Sequence, residues 1–364
     1  MFSFFISVFS MSFIAALLAG TIIICQSFLS DYGECKITIN GKKELIVKGG
    51  ESLLSVLTSE KIFIPSACGG KATCGMCKLK VIEGGGNVLP TEEAFLTAQE
   101  KKEGFRLSCQ LKVKSNLKIE IPEELFNVRE YKSICEKITD LTPDIKLFRL
   151  KLSEAESVDY VPGQYVQLFS PKYSDKVEEV YRAYSIASDP KDKSVVELII
   201  RLVPGGICTT YCFNYLKENN PVRFNGPYGK FRLSSTDADM VFIAGGSGMA
   251  PIRSMLYEMK NKGIKRKAEF FFGANTEKDL FLTEEMKDFE KQLFNFKYIP
   301  VVAKPQENWT GEKGLVTDAV DRYYSNLSNA EAYLCGSPGM IDNSIKVLLK
   351  HKMKEENIFY DKFA

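Results

Sequence analysis

Four cysteines, Cys68, Cys74, Cys77 and Cys109, are the residues whose spacing speaks most plainly of chemistry. Three stand in the run S-A-C-G-G-K-A-T-C-G-M-C, and the fourth follows 32 positions later. Thiolates in that number suit two tetrahedral irons bridged by sulfide, each iron taking two of them, which is a 2Fe-2S cluster. Gly69, Gly70 and Gly75 belong to the same reading. A loop that turns three side chains inward needs φ above zero and N–H groups close to the sulfurs, and glycine allows both with the least steric strain. The spacing C-x5-C-x2-C is one residue longer than the plant-type C-x4-C-x2-C. Structural zinc competes for such a loop, but zinc sites favour paired C-x2-C knuckles or histidine, and the chain has one C-x2-C and a single histidine, His351. A disulfide framework is a weaker alternative for a chain this long that also carries nucleotide-binding signals.

A second group of residues suits nucleotides. In R-A-Y-S (182–185), strand alternation sends Arg182 and Tyr184 to one face and Ala183 and Ser185 to the other. Arg182 offers a planar fork of donors for phosphate and Tyr184 an aromatic face for a ring. The runs P-G-Q-Y (162–165), G-I-C-T-T-Y (206–211, with Gly206, Thr209 and Thr210) and G-P-Y-G (226–229) accompany it in order. Further on, M-V-F-I-A-G-G-S-G-M-A-P-I-R-S-M-L-Y-E-M reads as strand, glycine loop and helix. Gly245, Gly246 and Gly248 let a dinucleotide pyrophosphate approach the free N–H groups of a helix that starts near Met249. Pro251 suits its first turn, and Ile252, Met255, Leu256 and Met259 make one apolar stripe. By spacing alone this is not the G-x-G-x-x-G fingerprint. L-C-G-S-P, with Cys335 and Gly336, and the ending F-Y-D-K-F-A, with Phe363, are by residue type ordinary core segments.

The elements that position these residues fall into four segments. Residues 1–30 lack charge and are long enough to cross a bilayer as one helix. A basic n-region and a small-x-small cleavage site are not evident, so an anchor is expected rather than a signal peptide. Lys36, Lys42, Lys43 and Lys48 follow the span and no basic residue precedes it, which predicts a single pass with the body on the cytoplasmic side. Residues 34–127 read as a hairpin about Asn40-Gly41, a helix over 52–59, the cysteine loop, a strand over 78–83 and a closing strand over 117–121. Residues 128–236 read as six short strands in an antiparallel barrel. Residues 237–364 alternate strands with helices over 250–262, 283–293, 315–324 and 338–351, a parallel α/β sheet. The whole is a multidomain α+β and α/β protein. With 48 basic and 46 acidic residues, the net charge of +2 offers no bulk attraction for nucleic acid.

In its barrel motifs the chain resembles the flavin domain of the ferredoxin-NADP reductase superfamily, and its N-terminal third resembles a ferredoxin β-grasp domain. Over nearly its whole length it is similar to the F subunits of the sodium-translocating NADH:quinone oxidoreductases. The features that carry the likeness are the N-terminal span, C-G-G-K-A-T-C-G-M-C, G-G-G-N-V-L-P-T-E, R-L-S-C-Q, R-A-Y-S, G-G-S-G-M-A-P-I-R-S and the closing D-K-F. The resemblance implies FAD with Arg182 at its pyrophosphate, Tyr184 stacked on the isoalloxazine, Ser185 near N5 and Phe363 over the ring. It also implies Cys335 and Gly336 beside the path of a hydride from NADH, with Ser185 and Cys335 as the catalytic pair. Electrons then pass to the 2Fe-2S cluster and on to other membrane subunits of a respiratory complex that reduces ubiquinone and moves sodium. Glu277, after G-A-N-T, favours NADH over NADPH, whose 2′-phosphate would want Arg or Lys. Two departures stand out: 14 residues separate Gln167 from Arg182, where a longer insertion is usual, and Ser337 stands where proline is usual. The reductase component of a multicomponent oxygenase shares the three-domain order and, as a rule, lacks the membrane helix. A non-enzymatic, membrane-tethered zinc scaffold is a third reading, from another class.

Overall fold

The computed structural model describes residues 9, 11–21, 32–153, 156–175 and 179–363. Two compact units emerge, residues 1–66 with 70–127, and residues 67–69 with 128–364.

The first unit is a five-stranded sheet of β1 (Glu34–Ile39), β2 (Lys43–Lys48), β3 (Lys78–Glu83), β4 (Phe105–Leu107) and β5 (Leu117–Glu120), in the order β2-β1-β5-β3-β4. The β1–β2 turn uses the left-handed region at Asn40 (φ 51°) and Gly41 (φ 66°), where these two residue types are least strained. Helix α1 (Leu53–Ser59) starts where Ser52 accepts the Ser55 N–H, and it buries Leu53, Leu54, Val56 and Leu57 with Ile37, Ile39, Leu117 and Ile119 of the sheet. Two short helices, α2 (Pro90–Glu93) and α3 (Ala98–Lys102), and strand β4 had no counterpart in the sequence pattern.

In the second unit, β6 (Arg129–Thr142), β7 (Ile145–Leu152), β8 (Tyr165–Ser170), β9 (Val180–Ser185), β10 (Val195–Arg201) and β11 (Pro221–Tyr228) form an antiparallel sheet, order β10-β7-β6-β11-β8-β9. An isolated bridge between Ile186 and Leu198 joins its two edges and closes the barrel. Helix α4 (Ile207–Asn214) plugs the interior, packing Cys208, Tyr211 and Cys212 among Phe148, Leu168 and Phe224.

The chain then builds a parallel sheet of β12 (Asp239–Gly245), β13 (Ala268–Ala274), β14 (Phe296–Val302), β15 (Glu312–Lys313), β16 (Ala330–Gly336) and β17 (Ile358–Lys362), order β15-β14-β13-β12-β16-β17. Its main helices are α5 (Met249–Lys262), α6 (Thr283–Gln292), α7 (Val316–Tyr323) and α8 (Pro338–Lys350). Strand order reverses at β12, so a crevice opens beyond the carboxyl ends of β12 and β16, the place where such sheets bind ligands.

Toward the N-terminus a helix covers 11–21, with Met11, Phe13, Ile14, Leu17 and Leu18 exposed. Among the described residues no helix is long and apolar enough to cross a membrane. The rest of the span expected over 1–30 lies outside the described residues.

Candidate active site

The cysteine loop adopts the backbone that its glycines anticipate: Gly69, Gly70 and Gly75 have φ of 66°, 85° and 66°. Space is short as well, since a Cβ at Gly75 would lie 2.7 Å from the Phe95 ring. Cys68 and Cys74 are half-buried, and Cys77 and Cys109 are buried. A hydrogen bond that the Cys77 thiol donates to Cys109, with burial, pushes that thiol well above its ordinary value. Two sulfurs held that close suit two ligands of one tetrahedral iron, which would bind both as thiolates. Among the described residues no three His, Cys, Asp or Glu side chains are spaced to hold a single metal ion. A diiron group instead divides its four thiolates two to an iron. The backbone N–H and hydroxyl of Ser108 both donate to the Cys77 carbonyl, at 2.9 and 3.0 Å, so the segment bearing the fourth cysteine is stitched to the third.

On the barrel, β9 carries Arg182, Ala183 and Tyr184 half-buried and Ser185 buried. The alternation expected from sequence is blurred because both faces of β9 are partly covered. Tyr184 Oη is buried against the Cys208 and Cys212 thiols, and burial, with those thiols nearby, pushes its phenol well up. An aromatic ring pinned in this way keeps one orientation, as a stacking platform needs. Cys208 is the second residue of α4, and its thiol is held below its usual value by a hydrogen bond with Cys212, with the Arg182 charge adding to the effect. Arg182 therefore stands close to the start of α4, where Gly206 caps without a side chain and leaves helix N–H groups for a phosphate. Thr210 is half-buried there. Thr209 is different: its hydroxyl bonds back to Val203 N and O, 3.2 Å each, and to Gly206 O at 3.3 Å, so it shapes the loop.

In the crevice at β12 and β16 the glycines divide their tasks. Gly246 takes φ 56° on the open side, and a Cβ there would come within 3.7 Å of Arg201 Nη1. Gly248 is a packing glycine, because a Cβ would sit 2.2 Å from the Cys335 carbonyl oxygen. Gly245 faces the Gly273 carbonyl and Met340, and Gly336 takes φ 149°. Met249 and Pro251, at the start of α5, are buried. Phe363 donates its N–H to Gly336 O at 2.9 Å and packs, partly buried, on the core.

One residue to which its motif assigns no role joins these pieces. Asp361 on β17 pairs in register with Cys335 on β16 and accepts a hydrogen bond from Ser185 Oγ at 3.4 Å. Burial raises its carboxyl to about 6, with the Ser185 hydroxyl opposing, and its charge adds to the burial that pushes the Cys335 thiol well up. The signal was the D of F-Y-D-K-F. A lone acidic residue near a terminus has no periodicity to mark it, and only the pairing of β17 with β16 brings it to Ser185.

The barrel and the parallel sheet are held together through α5. Arg253, 6 % exposed, donates to Glu197 Oε2 at 2.6 Å, to both oxygens of Glu285 at 2.9 and 3.1 Å and to Ala187 O at 2.8 Å. Ser254 Oγ donates to Ser188 O at 2.9 Å. Glu277 is occupied by the Gln306 N–H, at 2.7 Å, on the turn after β13.

Three protein-family profiles match in this same order: a 2Fe-2S iron-sulfur cluster binding domain over residues 37–114, an oxidoreductase FAD-binding domain over 133–233 and an oxidoreductase NAD-binding domain over 242–346. The F subunit of the Na(+)-translocating NADH-quinone reductase of a Marinomonas strain is 36% identical over 389 aligned positions, covering 95% of each chain. Its namesake in Neisseria meningitidis is 35% identical, covering 96% of this chain and 97% of its own, and the one in Pseudomonas aeruginosa is 36% identical over 95% of each. The aligned spans exceed the 364 residues here, so these relatives carry residues that this chain lacks. Among solved structures, the cytochrome P450 reductase GcoB of Amycolatopsis superposes with a TM-score of 0.73 at 25% identity, covering 90% of this chain and 98% of that one. The ferredoxin reductase of carbazole 1,9a-dioxygenase superposes at 0.70 and 22%, covering 91% and 99%, a likeness of fold.

Proposed function

The chain belongs to the family of F subunits of the Na(+)-translocating NADH-quinone reductase, and from that premise we propose how its residues divide the work. It is an FAD- and iron-sulfur-dependent oxidoreductase subunit that passes electrons from NADH toward quinone within a multi-subunit respiratory complex. When bound, FAD takes a two-electron hydride and releases single electrons, which a 2Fe-2S cluster carries one at a time.

The cluster ligands are Cys68, Cys74, Cys77 and Cys109. Arg182 and the start of α4, with Gly206 and Thr210, bind the flavin pyrophosphate, while Thr209 holds that loop in shape. Tyr184 supplies the stacking face and Phe363 the cover. Gly245, Gly246 and the start of α5 receive the dinucleotide, and Gly248 lets Cys335 and Gly336 come close to that loop. Ser185 Oγ and Asp361 Oδ2 form a two-atom proton path: the carboxyl holds a proton below about pH 6 and accepts one above it. The four segments 1–30, 34–127, 128–236 and 237–364 are in this reading the anchor, the cluster domain, the FAD domain and the NADH domain, with the catalytic domains on the cytoplasmic side of the inner membrane. The exposed apolar residues of the helix over 11–21 support the anchor.

The observation that carries the reading is the contact of Ser185, on the barrel, with Asp361, on the strand beside Cys335. Ser185→Ala should keep its flavin and slow anaerobic bleaching by NADH, followed by stopped-flow absorbance, on the order of 10²-fold. A variant that bleaches at the wild-type rate would remove Ser185 from the reaction.

A further inference from the structure

The run G-G-G-N-V-L-P-T-E (84–92) has no part in the chemistry above, yet Gly85, Gly86, Thr91 and Glu92 bond to Arg106, Leu107 and Gln110 of R-L-S-C-Q (106–110). Glu92 is fully buried and accepts from Arg106 Nε at 3.0 Å, from Arg106 Nη2 at 2.6 Å, from the Leu107 N–H at 2.8 Å and from the Leu89 N–H at 2.9 Å. Arg106 Nη1 donates onward to the carbonyls of Gly85 and Gly86. One residue before Glu92, the Thr91 hydroxyl donates to Gln110 Oε1 at 3.0 Å. The Cys109 carbonyl can only accept and so takes the amide nitrogen, which leaves the amide oxygen to accept from Thr91. The nitrogen is left facing the fourth cysteine: Nε2 donates to Cys109 Sγ at 3.6 Å and to the Cys109 carbonyl at 3.4 Å.

We propose that this segment is a strap that tunes the cluster, with Thr91 and Gln110 placing an N–H on the Cys109 sulfur and Glu92 with Arg106 fixing the backbone that presents it. Thr91 and Gln110 are positioning residues: neither is a ligand, and their effect passes through one sulfur. Reduction adds negative charge to a cluster already carrying four thiolates. A donor on a ligand sulfur stabilises the reduced form more than the oxidised one and raises the reduction potential. A carboxylate buried on a bidentate arginine does not reorient easily, so the geometry is preset. The inference rests on the reading of Cys109 as a ligand.

The test is a redox titration of the full-length chain in detergent, with the reduced cluster read by electron paramagnetic resonance and iron and acid-labile sulfide assayed on each sample. Gln110→Leu, which removes the donor at similar volume, should lower the reduced fraction at a fixed ambient potential about tenfold, or ~59 mV for one electron. Thr91→Val, an exposed and nearly isosteric change that leaves the amide in place but free to turn, should shift it the same way by a smaller factor. Thr91→Ser should restore the wild-type midpoint. If Gln110→Leu fails to accumulate, Thr91→Val against Thr91→Ser carries the test alone. Variants that hold full iron and sulfide but titrate at the wild-type midpoint would overturn the tuning and leave the ligand assignment standing. Wild-type protein without acid-labile sulfide would remove both.

Discussion

Asp361 is ionisable in the range where respiratory enzymes work, because burial lifts its carboxyl from 3.8 to about 6. A folded-state value above the unfolded one means that the neutral carboxyl favours the folded form. That contribution is complete below about pH 3.8 and is lost as pH rises through about 6. Asp361→Asn should therefore flatten the stability change between these limits, measured by urea melts across pH. The same substitution should remove an inflection near pH 6 from the pH profile of NADH-to-ferricyanide activity. An unchanged profile in the variant would show that the titrating group lies elsewhere. Residue types alone do not reveal this. Cys335, Ser185 and Phe363 were legible only through the motifs around them, while Asp361 owes its role to register across β16 and β17.

At the scale of elements, α5 serves the crevice with its first turn and the barrel with Arg253. Removing that guanidinium leaves Glu285 with only the Tyr257 hydroxyl and Glu197 with only Arg149, and breaking such a buried ion pair costs about 3–5 kcal/mol. Arg253→Met is expected to lose most of that amount in denaturant unfolding and to slow hydride transfer at saturating NADH. Retained stability with wild-type turnover would contradict the clamp. Helix α5 was readable in advance because Ile252, Met255, Leu256 and Met259 recur at helical spacing, and all four are fully buried. Likewise the alternating and continuous apolar runs marked the barrel and the parallel sheet. Strand β4 and helices α2 and α3 were not readable, being three to five residues long and set by tertiary bonds such as Glu92 to Arg106. Helix α4 escaped for another reason: I-C-T-T-Y-C-F-N is rich in β-branched and aromatic residues that favour strands, and burial inside the barrel overrides that preference.

For the whole molecule, the proposed division of work gives the cofactor domains and the N-terminal segment separable contributions. Deleting residues 1–30 should leave NADH-to-ferricyanide activity intact and abolish quinone reduction in reconstituted membranes. A truncated protein that still reduced quinone there would remove the N-terminal segment from that step. The account stands or falls on electrons from NADH reaching both redox groups of one chain. Anaerobic titration of purified full-length protein with NADH, monitored by flavin absorbance and low-temperature electron paramagnetic resonance, measures this directly. Loss of flavin absorbance accompanied by the signal of a reduced 2Fe-2S cluster, about one spin per chain at completion, is the predicted result. A flavin that bleaches with no cluster signal, or one that stays oxidised in excess NADH, would contradict it.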